Sequence, residues 1–82
     1  MSAGIPKPGR LQKRSFSVAG HRTSIALEPE FWGALETEAR GKAIALAALV
    51  ARIDAGRAER NLASALRVHV LRRALEKAAP ET

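Results

Sequence analysis

The chain is expected to be a single mainly α-helical domain with one short N-terminal strand. Three observations carry this: polar and apolar residues alternate one for one over "HRTSIAL" at 21–27, the spacing turns helical after "EP", and two further helical stripes follow. With 82 residues, one small core is possible, and a domain of this size is often marginal without a second subunit. No cysteine is present, which removes disulfides, thiolate metal sites and thiol nucleophiles.

Residues 1–14 combine prolines, glycines and cations with few large apolar groups, so a flexible basic arm is expected there. "SFSVAG" at 15–20 alternates with Phe16 and Val18 on one side, whereas Thr23, Ile25 and Leu27 take the opposite phase, and Gly20 between them suits a bulge or bend. In the strand at 21–27, Thr23, Ile25 and Leu27 share the core side and Arg22, Ser24 and Ala26 face outward. A lone strand leaves its backbone groups unpaired, and the partner with a matching pattern is the same strand of a second copy.

The first helix is expected at about 29–40: Pro29 is tolerated in a first turn, and Glu28 and Glu30 oppose the positive end of the dipole. Phe31, Trp32, Leu35 and Ala39 form its apolar face. Leu46, Leu49, Val50 and Ile53 mark a second helix at about 45–56. Asn61 is a natural N-cap for a third, at about 62–78, before Pro80. Its two apolar rows, Leu62, Leu66, Val70 and Val68, Leu71, Leu75, are too wide to leave in water. The domain therefore spans 15–78, with 79–82 a tail.

The formal charge is +6, and residues 1–27 carry five cations and no acid. One-sided basic charge without an apolar anchor suits nucleic acid rather than a membrane. The longest apolar run, at 43–51, is about half the length needed to span a bilayer. No secretory segment is evident, and a cytoplasmic protein is expected. His21 and His69 lack ligand spacing, so no metal or other cofactor is expected, and no catalytic arrangement points to an enzyme. Arg52, Arg57, Arg60, Arg67, Arg72 and Arg73 interleave with acids and read as solvated faces or ion pairs.

"RTSIALEPEFWGALE" followed by "LAALVARID" resembles the ribbon-helix-helix DNA-binding proteins of the Arc and MetJ type. "KRSFSVAGHRTSIALEPEFW" with "ERNLASALRVHVL" is similar to a subgroup of short bacterial members with an extra C-terminal helix. The resemblance implies an intertwined homodimer whose strands pair into an intersubunit two-stranded ribbon, usually a repressor binding double-stranded DNA. It implies base contacts from Arg22, Ser24 and Ala26, the last offering only a methyl group. Phosphate contacts would come from Lys7, Arg10, Lys13 and Arg14 in the arm and from Lys42, Ile44 and Ala45 at the start of the second helix, where alanines at 43 and 45 replace the usual glycine and hydroxyl residue. Ile25, Leu27, Phe31, Leu35, Leu46, Leu49, Val50 and Ile53 would form the dimer core. The alternative is an antitoxin-like or other interaction module that docks a protein partner through the third helix.

Overall fold

The computed structural model describes residues 10–78. Two strands come first, β1 at Gln12–Val18 and β2 at His21–Leu27, followed by helices α1 at Pro29–Gly41, α2 at Leu46–Ala55 and α3 at Leu62–Ala78. This corrects the expectation of one strand. β1 and β2 pair antiparallel within one chain, Val18 opposite His21 through to Gln12 opposite Leu27. Residues 12–14, expected in the arm, belong to β1; residues 1–9 of that arm and the tail at 79–82 lie outside the described residues.

The turn explains the pairing. Ala19 and Gly20 both have positive φ, 53° and 82°, the requirement of a two-residue type I′ hairpin, whose twist matches that of the strands. A two-residue turn pairs even positions of β1 with odd positions of β2, so the inverted apolar phase around Gly20 is a hairpin rather than a bulge. Phe16 and Val18 therefore share the inner face with Thr23 and Ile25.

The helices cover that inner face. Trp32, Leu27, Leu35, Leu49, Leu66 and Val50 are the largest fully buried side chains, each contributing about 1.5–3 kcal/mol through burial. Phe16 tilts against Trp32 with ring centroids 5.8 Å apart, and the Trp32 indole N–H donates to the Gln12 carbonyl at 2.8 Å, tying β1 to α1. Of the residues expected in a dimer core, Ile25, Leu27, Leu35, Leu49 and Val50 are buried within a single chain, while Phe31, Leu46 and Ile53 are half-buried against them. α3 makes this closure possible. Leu66 and Ala65 enter the core, Leu62 and Val70 pack beside them, and the Asn61 carbonyl oxygen of the side chain accepts the Ser64 amide at 2.8 Å as the N-cap. The outer row stays in water, with Leu71 and Leu75 55% and 60% exposed.

α1 ends in a Schellman motif: the Ile44 amide bonds the Ala39 carbonyl at 3.0 Å and the Ala43 amide that of Arg40 at 3.1 Å. The left-handed position is Ala43, φ 57°, where glycine is the usual residue; Gly41 is the last helical residue instead.

Candidate nucleic-acid interface

Because β-strand side chains alternate, the hairpin presents a second, outward face. It pairs Lys13 with Ala26, Ser15 with Ser24 and Ser17 with Arg22. All are exposed except the half-exposed Ala26, and no acid lies among them. The Ser15 and Ser24 hydroxyls are 2.9 Å apart and hydrogen-bonded across the ladder. The result is a narrow polar ribbon with a cation on each strand, Lys13 near its open end and Arg22 near its turn. Guanidinium and ammonium groups suit guanine O6 and N7, hydroxyls act as donor or acceptor, and the Ala26 methyl suits only an apolar contact such as thymine's.

Arg22, Ser24 and Ala26 thus occur together on one face, joined by three positions that the sequence reading did not assign to it. Lys13 is expected among the phosphate-contacting residues of the arm, and no role is expected of Ser15 or Ser17. The phase inversion at Gly20 was the signal that would have found them, since it puts Ser15 and Ser17 on the side of Arg22.

The expected phosphate-contacting residues do not gather in one place. Lys7 lies outside the described residues, and Arg10 is exposed two residues before β1. Arg14 points to the inner face: its guanidinium donates to Glu36 at 2.6 Å and lies over the Trp32 ring, 4.9 Å from the centroid. Lys42 donates to Glu38 at 2.6 Å. Ile44 is half-buried against the core. Ala45 is the N-cap of α2 and provides no side-chain cap, so the first-turn amides of α2 have no hydroxyl or carboxylate from their own cap.

Two acids brace the scaffold. Glu38 on α1 is 6% exposed and accepts from Lys42 and, on its other oxygen, from the His69 Nε2–H at 2.7 Å, with Arg73 Nε at 3.3 Å. Burial alone disfavours its charge, yet hydrogen bonds from Lys42 and His69 and the nearby His69 and Arg73 charges outweigh this and lower its pKa. Glu28 precedes α1 and accepts from Arg67 of α3 at 3.0 Å. The hydrogen bond from its own backbone amide, and then Arg67, hold its carboxyl below the ordinary range despite some desolvation. Both acids dock α3 against α1 and its flanking residues. Among the described residues no His, Cys, Asp and Glu cluster is placed to hold a metal, and no helix is long and apolar enough to cross a membrane.

Comparison with curated proteins and with solved structures returns no match. The ribbon-helix-helix domain family matches residues 11–74, a span that takes in the hairpin, all of α1 and α2 and most of α3. Members of this family are generally DNA-binding regulators of transcription. Sequence match and architecture agree: the chain belongs to the ribbon-helix-helix domain family.

Proposed function

We propose that the protein is a cytoplasmic, homodimeric repressor that binds double-stranded DNA sequence-specifically, with the outer face of the hairpin in the major groove. The observation that carries this is the acid-free ribbon of Lys13, Ser15, Ser17, Arg22, Ser24 and Ala26, since a two-stranded ribbon is one of the two elements that the major groove admits. Base reading falls chiefly to Arg22, Ser24 and Lys13, with Arg10 adding a phosphate contact. Dimerisation is supported by β2, whose edge away from β1 has no partner among the described residues. Pairing two such edges about a two-fold axis satisfies the open backbone groups and sets the two β2 strands side by side as the central two-stranded ribbon that enters the groove, with each β1 flanking it.

Selection of bound sequences from random duplexes, followed by titration at several salt concentrations, tests the reading. A palindromic site is expected. Arg22→Ala should cost about 1–3 kcal/mol per half-site on that palindrome and far less on a random duplex. Arg10→Ala should weaken both alike and flatten the logarithmic salt slope by about 2, one phosphate contact being lost from each copy of the dimer. Equal losses on both duplexes for Arg22→Ala would remove its base-reading role. A second reading, a protein partner docked on α3, is favoured by Leu71 and Leu75, which lie one turn apart and exposed.

A further inference from the structure

Away from the hairpin, the C-terminal half of α2, the loop after it and one side of α3 enclose a groove of about 300 Å³. Its floor is apolar, from Leu49, Ile53, Ala65 and Val68. Every charged or titratable side chain that lines it is basic: Lys42 from the end of α1, Arg52 from α2, Arg57 and Arg60 from the loop, His69 and Arg72 from α3. Three of these are held by hydrogen bonds. Lys42 and His69 bond Glu38, while Arg57 donates to Asp54 at 2.7 Å and to the Arg60 carbonyl at 2.6 Å, which fixes the loop. Arg52, Arg60 and Arg72 form no ion pair within 4.0 Å among the described residues.

Three uncompensated guanidinium groups around an apolar floor repel one another, and an anion seated among them relieves that repulsion. Guanidinium groups match phosphate oxygens in pairs, which gives geometric specificity as well as charge. The floor has no use for a bare ion; it suits the apolar body to which a phosphate is attached, and the volume is at the lower end for small-molecule sites. We propose that this groove binds a small organic phosphate, its phosphate held by Arg52, Arg60 and Arg72 and its apolar body resting on Ile53 and Val68. A duplex backbone carries the same phosphate chemistry, but its sugars and charges offer nothing that fills a concave apolar floor.

Amide-resolved NMR titration of the full chain with AMP, and separately with adenosine, inorganic phosphate and a short DNA duplex, distinguishes the sources. AMP is expected to give saturable shifts at the Ile53, Gly56 and Val68 amides, with affinity roughly tenfold or more above that of adenosine or inorganic phosphate. Arg72→Ala and Arg60→Gln should each weaken AMP roughly tenfold while the thermal midpoint stays unchanged, which separates lost contacts from lost fold. No saturable shift with AMP, equal affinity for inorganic phosphate, unaltered AMP affinity in both variants, or shifts at these amides with the duplex alone would each overturn the proposal. None of these results depends on whether the hairpin binds DNA.

Discussion

Glu38 is the buried charged side chain among the described residues, and its value lies in the three basic groups that reach it from two helices. Its folded pKa is lowered from an ordinary 4.5, so the carboxylate stabilises the fold fully above that value, and the contribution is lost as pH falls through the lowered folded value. Glu38→Gln should therefore destabilise the protein near neutral pH and converge on the parent in strong acid, checked by denaturant midpoints across the acid range. The cost is about 1–2 kcal/mol rather than that of a fully buried pair, because Lys42, His69 and Arg73 are themselves 29–40% exposed and can turn to water. Ala43 behaves in the opposite sense. At φ 57° its Cβ is strained in a position that suits glycine, and Ala43→Gly should raise stability by about 0.5–1 kcal/mol, read as a higher denaturant midpoint at unchanged slope.

At the scale of elements, the hairpin is the piece whose stability governs the candidate interface. Its turn places an alanine at φ 53° before a glycine at φ 82°, whereas Asn-Gly is the preferred pair for a type I′ turn. Ala19→Asn should stabilise β1–β2 by up to about 1 kcal/mol, measurable as slower amide exchange at Phe16 and Thr23, and leave the outer face unchanged. β1 is also secured from outside the ladder, by the Trp32 bond to the Gln12 carbonyl and the Arg14–Glu36 pair. Those contacts explain why a segment with prolines, glycines and cations just before it is nevertheless a strand.

For the whole molecule, one chain closes its own core because α3 supplies Leu66 and Ala65. A dimer is then not needed to bury the apolar faces of α1 and α2, and its proposed interface is narrower: the open edge of β2. Light scattering at micromolar concentration should give twice the mass of the chain, and exchange of the Ser24 amide, which points away from β1, should slow as concentration rises. A monomer mass throughout would eliminate edge pairing of β2 and leave each hairpin to act as a ribbon alone.

Local patterning determined the helices and the outward trio of β2. Apolar spacing, Pro29 in the first turn and the Asn61 cap depend on near neighbours, and the left–right alternation of "HRTSIAL" places Arg22, Ser24 and Ala26 on one side wherever the strand sits. The partner of β2 was also written locally, in the change of phase at Gly20, but a glycine between two alternating stretches fits both a bulge and a turn. Only the tertiary structure decided between them, by bringing β1 under Trp32 with both turn residues at positive φ. It alone decided which arginines are engaged as well. Arg14 and Arg22 are alike in sequence terms, yet one is clamped by Glu36 and Trp32, and the other is exposed on the ribbon with no ion pair among the described residues. Arg52, Arg60 and Arg72 converge on one groove because α2 and α3 fold against each other, a juxtaposition that no periodicity along the chain encodes.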